Sequence, residues 1–146
     1  SRMMAGIKGA NTKPEMMLRR ALHARGFRYR IHDKRLPGKP DIVLPNWRVV
    51  IEVRGCFWHR HQGCSKAAIP ATNPDFWQDK FSANVLRDET NAKALVADGW
   101  RVLIVWECAM TRRLPEHVLE QVTAFVMDGA HHEIRYREIG DAGKNP

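Results

Sequence analysis

The stretch LPGKPDIVLPNWRVVIEVRGCFWHRHQGC, residues 36–64, decides how this chain folds. A Gly and Pro turn delivers Pro40-Asp41 into an apolar run at 42–44, Pro45-Asn46 turns the chain, and residues 47–53 form a second apolar run. Short apolar runs bounded by turn residues read as the two strands of a hairpin. Pairing them brings Asp41, at the start of the first, against Glu52, near the end of the second. Two carboxylates at one end of a small sheet, with Arg54 two residues on, can hold a hard divalent cation beside a cationic group. Phosphodiester hydrolysis uses that arrangement. A turn-capping Asp41 and a solvated Glu52 satisfy the same letters.

Immediately outward lies GCFWHRHQGC, residues 55–64. Cys56, His61 and Cys64 have the short spacings of a zinc knuckle, and the remaining cysteine, Cys108, would complete a Cys₃His tetrahedron. All three cysteines are then used, none is left for a disulfide, and a reducing interior is the simpler setting. The competing reading makes Cys56 and Cys108 small buried hydrophobes and the histidines surface residues.

The blocks LPGKPDIV (36–43), GCFWHRHQGC (55–64), PATNPDFWQDKFSANVLRD (70–88) and DGWRVLIVWEC (98–108), with SRMMAGIKGANTKPE (1–15), span nearly the whole chain. Together they resemble the very-short-patch-repair (Vsr) endonucleases, nicking enzymes of bacterial mismatch repair. The resemblance implies a Mg²⁺-dependent endonuclease that nicks one strand of double-stranded DNA next to a T:G mismatch. It also implies a monomer in the bacterial cytoplasm, at the nucleoid, working with mismatch-repair proteins.

Composition agrees. A chain of 146 residues suits one domain, and 24 Lys plus Arg against 16 Asp plus Glu give +8, a charge suited to a polyanion such as nucleic acid. No apolar stretch approaches the length of a membrane span and no signal peptide opens the chain, which argues against membrane insertion and secretion.

Residues 1–13 read as a basic arm in which Arg2, Lys8 and Lys13 meet phosphates and Met3 and Met4 are apolar wedges; a disordered terminus is the plain alternative. The resemblance implies that Met4 enters the base stack. Thr12 with Glu15 reads as a helix cap, and Met17, Leu18, Ala21 and Leu22 make the packing stripe that follows. Glu15 caps that helix or faces the metal, the resemblance adding an accessory active-site role. Residues 27–32 alternate as an edge strand, and 33–39 form a basic turn.

A second helix begins at about Asp75. Phe76, Lys80 and Asn84 fall on one face and Trp77, Phe81 and Val85 on the next. Lys80 and Asn84 are a solvated face or DNA-binding residues; the resemblance places them at the recognised bases. Phe57, Trp58 and Trp77 pack in a core or stack between bases, and the resemblance makes them an intercalating wedge, with Phe76 left in the core. Asp88 is an ordinary helix charge or the partner of a histidine. His59 is a structural hydrogen-bonder or the general acid–base, and the resemblance places both near the catalytic site.

Residues 100–106 read as a covered strand. Residues 115–127 make an amphipathic helix burying Val118, Leu119, Val122, Phe125 and Val126, and 129–146 a loose tail with a short strand at 133–136. The order predicts an α/β fold: a restriction-endonuclease-like mixed β-sheet flanked by helices, with a structural zinc site and the catalytic metal at the sheet's open end.

One departure from the family's pattern stands beside the site. Many members carry an apolar residue where Glu52 stands and a histidine or acid where Arg54 stands. Asp41…Glu52-Val53-Arg54 instead approaches the Asp…Glu-x-Lys arrangement of the wider nuclease superfamily. On this reading Asp41, Glu52 and the Val53 carbonyl hold Mg²⁺ and Arg54 contacts the scissile phosphate. His59 then carries acid–base work alone, because arginine does not give up its proton near neutral pH.

Overall fold

The protein is seen in a computed structural model that describes residues 10–128 and 133–140. Met4, with Arg2, Met3 and Lys8 of the arm, lies outside the described residues, as does most of the expected tail.

Helix α1 (Lys13–Ala24) starts where the Thr12 side chain accepts from the Glu15 N–H at 3.4 Å, and buries Leu18 and Leu22. Gly26, at φ +94°, supplies the left-handed turn that ends it. The edge strand expected over 27–32 is only Arg30–Ile31, β1. Phe27 N–H donates back to Leu22 O at 3.0 Å, the Tyr29 hydroxyl donates to Arg19 O at 2.9 Å, and His32 turns left-handed at φ +48°. Those local bonds draw the backbone out of the ladder before and after the pair.

β2 (Ile42–Leu44) and β3 (Val49–Arg54) form the expected antiparallel hairpin, with Ile42 opposite Ile51 and Leu44 opposite Val49. Trp47 belongs to a 3₁₀ turn, Pro45–Trp47, rather than to the second strand. Proline fixes φ and offers no N–H, so pairing resumes only after Arg48. Helix α2 (Pro74–Ala97) then crosses to β4 (Arg101–Trp106), which runs parallel to β3. Helix α3 (Glu116–Met127) buries the five residues expected of it and leads to β5 (Tyr136–Ile139), parallel to β4. The strand expected at 133–136 thus begins at Tyr136 and belongs to the sheet.

The sheet order is β1-β2-β3-β4-β5, mixed, with helices on both faces. Alternation along β3 and β4 divides the core. Val49, Ile51, Leu103 and Val105 pack with Leu18 and Leu22 of α1 and Val122 and Phe125 of α3. Val50, Val102, Ile104 and Trp106 face the other way, toward Leu95 of α2 and the three cysteines. Of the 24 residues of α2 only Phe81, Ala92 and Leu95 are buried, so most of its surface stays open beside the sheet's end. No helix among the described residues is long and apolar enough to cross a membrane.

Candidate active site and metal centre

Asp41 sits one residue before β2, and the hairpin register, continued one step, sets it across from Glu52. Its carboxylate Oδ2 accepts from the Val53 N–H at 2.8 Å. Burial, with Glu15 and Glu52 nearby, pushes the Asp41 carboxyl up to about 7, although the Val53 bond pulls it down. Burial raises Glu52 as well, while Arg54 opposes the shift. Glu52 Oε1 accepts from Arg54 Nε and Nη2, both at 3.2 Å, whereas Oε2 is buried with no hydrogen-bond partner among the described residues. An orphaned, buried carboxylate oxygen is costly unless a cation or donor meets it. Carboxylate oxygens of this kind suit a hard divalent ion, whose ligands are carboxylate and carbonyl oxygens.

Glu15 and Asp41 are also brought within reach of a third group. One ligand atom each from Glu15, His32 and Asp41 lies within 4.8 Å of the others, and Glu52 does not belong to that set. His32 was not marked out by the sequence; it follows a two-residue strand and matches no ligand spacing. Glu15 caps α1 through its N–H and accepts at its carboxylate from the Asn11 N–H, Arg19 and His32, so both readings of this residue have a footing.

Beyond Glu52, His59 Nδ1 lies 2.7 Å from Asp88 Oδ2, joining the loop after β3 to the middle of α2. A carboxylate on one ring nitrogen fixes the orientation of the imidazole and leaves the other nitrogen to exchange a proton. Arg54, His59 and Asp88 line a cleft of about 650 Å³ together with Trp106, Tyr136 and Glu138.

Cys56, His61, Cys64 and Cys108 are all buried, with a ligand atom from each within 4.8 Å of the rest. His61 Nδ1 is 3.6 Å from Cys56 Sγ and 3.4 Å from Cys108 Sγ. Tetrahedral zinc with ordinary Zn–S and Zn–N lengths sets its sulfur and nitrogen ligands about 3.6 Å apart. Burial pushes the Cys56 thiol far up, the Cys108 backbone N–H opposing the shift and the Cys108 thiol adding to it, a state that a bound cation would reverse by stabilising thiolate. The 3₁₀ turn after β4, Glu107–Ala109, delivers Cys108 to a knuckle more than forty residues earlier in the chain, and Glu107 Oε1 accepts from the Cys56 N–H at 3.2 Å.

The loop between these ligands carries Phe57 and Trp58, which meet α2. Phe57 contacts Trp58, Trp77 and Phe81 with centroids 5.0, 5.8 and 5.3 Å away, and Trp58 is 5.8 Å from Trp77. Arg60 lies over Phe81 at 3.9 Å. Phe57, Trp58 and Trp77 are only half-buried. Phe76, assigned to the core from sequence, is 59% exposed and meets Trp77 edge-on at 5.2 Å, because its position on α2 turns away from the sheet. Asn84 Nδ2 donates to Trp58 O at 3.1 Å and its Oδ1 accepts from Arg87, so it pins the aromatic loop to α2. Lys80, half-buried, stands one turn before it.

Residues 1–66 match the family model described as DNA mismatch endonuclease Vsr. The chain is 46% identical over 109 residues to the type II nicking enzyme V.XorIIP of Xanthomonas oryzae pv. oryzae, an alignment covering 75% of this chain and 79% of that protein. It is 43% identical over 113 residues to the DNA mismatch endonuclease Vsr of Escherichia coli, covering 77% and 72% of the two chains. It is 38% identical over 137 residues to the type II nicking enzyme V.NaeI of Lentzea aerocolonigenes, covering 90% and 76%.

Proposed function

Because the chain belongs to the DNA mismatch endonuclease Vsr family, and is therefore an endonuclease, we propose that it nicks one strand of duplex DNA beside a T:G mismatch, with Mg²⁺ as cofactor and Zn²⁺ as a structural ion. One observation supports this reading: Glu52, across from Asp41 in the hairpin register, feels the charges of His59 and Asp88, which hold each other at 2.7 Å, and the half-buried aromatic cluster sits on the loop that follows β3.

Asp41, Glu52 and the Val53 carbonyl would hold the Mg²⁺. When bound, that ion polarises the scissile phosphate and offsets the charge gathering on it. Arg54, kept in place by Glu52 and lying 5.8 Å over Trp106, contacts the same phosphate. His59, steered by Asp88, takes a proton from the attacking water or returns one to the leaving oxygen. Phe57, Trp58 and Trp77 pry open the mispaired step, Met4 of the arm entering the stack and Lys80 contacting the DNA. Asn84 acts through its hold on Trp58 and at the bases. Cys56, His61, Cys64 and Cys108 would hold Zn²⁺ and so brace the loop that carries the wedge.

The test is a nicking assay on otherwise identical matched, T:G and other mismatched duplexes, with and without Mg²⁺, for the wild type and Asp41→Ala. Nicking confined to T:G duplexes with Mg²⁺, lost in Asp41→Ala with zinc content and duplex binding retained, is expected. Equal cleavage of matched DNA would instead indicate a restriction-type cutter, and tight binding without a nick a mismatch-binding module.

A further inference from the structure

On the side of Asp41 away from the zinc loop stands a histidine with no part in the mechanism above. His32 Nε2 lies 2.7 Å from Glu15 Oε2, and the His32 N–H donates to Asp41 O at 3.1 Å. Its backbone is left-handed, φ +48°, an uncommon conformation for a residue with a side chain. Glu15 is 1% exposed and His32 half-buried.

We propose that Glu15, His32 and Asp41 form a second divalent-cation site, whose nitrogen ligand favours a first-row transition ion such as Mn²⁺ over Mg²⁺. The inference rests on the reading of Asp41 as a cation ligand, and goes beyond it by adding an imidazole and a choice of metal.

Three observations support it. Ligand atoms no more than 4.8 Å apart can close around an ion with bonds of about 2.1 Å after small side-chain movements. The ion replaces the present His32 to Glu15 hydrogen bond with two coordinate bonds. The local charge also has room for it. Glu15, Asp41 and Glu52 bring three carboxylates, of which Arg19 meets Glu15 at 2.9 Å and Arg54 meets Glu52 at 3.2 Å, while Asp41 makes no ion pair among the described residues and feels Arg54 only at longer range. The donor set then selects the ion. Mg²⁺ takes oxygen ligands and parts reluctantly with its waters, whereas an imidazole nitrogen suits first-row transition ions.

The experiment titrates Mn²⁺ into the zinc-loaded chain, following bound metal through loss of the free-ion EPR signal and nitrogen ligation through pulsed EPR. Wild type is expected to bind Mn²⁺ about tenfold more tightly than Mg²⁺ in competition, with a histidine-nitrogen coupling. His32→Gln is expected to lose both the coupling and the preference while still binding Mg²⁺. Mn²⁺ bound without that coupling, or a coupling that survives in His32→Gln, overturns the inference and leaves the Mg²⁺ reading standing. Binding of both ions unchanged in Asp41→Ala overturns the Mg²⁺ reading as well.

Discussion

The imidazole of His61 lies flat on the indole of Trp106, their centroids 4.3 Å apart and their planes 6° from parallel. Trp106 ends β4, and its Nε1 donates to Glu138 Oε1 on β5 at 2.7 Å, while the Arg54 guanidinium stands 5.8 Å over its ring. One side chain therefore links the cysteine–histidine cluster, the last strand and the guanidinium beside Glu52.

Trp106→Ala removes all three contacts and leaves a cavity among buried groups. The variant is expected to lose about 3–5 kcal/mol in urea denaturation and to release zinc faster to a chelator. Full stability together with wild-type zinc retention would show that the stack carries no weight.

Asp41 gives a pH signature. Its folded carboxyl lies near 7 against an ordinary value of 3.8, so the folded state binds the proton more tightly than the unfolded state does. The ionised form therefore lowers stability above about pH 7, and that cost fades as pH falls toward 4. Without divalent ions Asp41→Asn is expected to be more stable than wild type at pH 8, by on the order of 4 kcal/mol, with the gap closing near pH 4. A gap that is the same at both pH values, measured by denaturant titration, would contradict the assignment.

Removing the imidazole by His59→Ala is expected to slow single-turnover nicking about 10²–10⁴-fold with little change in duplex affinity. Asp88→Asn keeps the ring but neutralises the group 2.7 Å from its Nδ1, and should cost less. An equal loss of binding in both variants would mean that the pair holds the loop and takes no part in proton transfer.

Phe76 offers a test at the open face. Because the ring is 59% exposed, Phe76→Ala should change stability by no more than about 0.5 kcal/mol. If the ring extends the wedge next to Trp77, affinity for a mismatched duplex should fall about tenfold, within the range for one stacked base. Unchanged affinity would confine the wedge to Phe57, Trp58 and Trp77.

Local patterning carried much of this protein. The apolar runs around Pro45-Asn46 specify a hairpin, because turn residues between two such runs leave few other ways to bury them, and Val118, Leu119, Val122, Phe125 and Val126 recur at the helical period. Cys56, His61 and Cys64 point to a candidate metal centre through their spacing, since three of the four possible ligands come from one loop.

Only the tertiary structure decided what depends on distant segments meeting. Parallel pairing of β3 with β4 carries Cys108 to the knuckle, α2 lays Asp88 against His59, and a left-handed residue after a two-residue strand turns His32 toward Glu15. Phe76 and Phe81 share one helix and one residue type, yet one is exposed and the other buried. Periodicity fixes the angle between such positions around the helix axis, whereas which direction is the interior depends on where the sheet and the zinc loop pack.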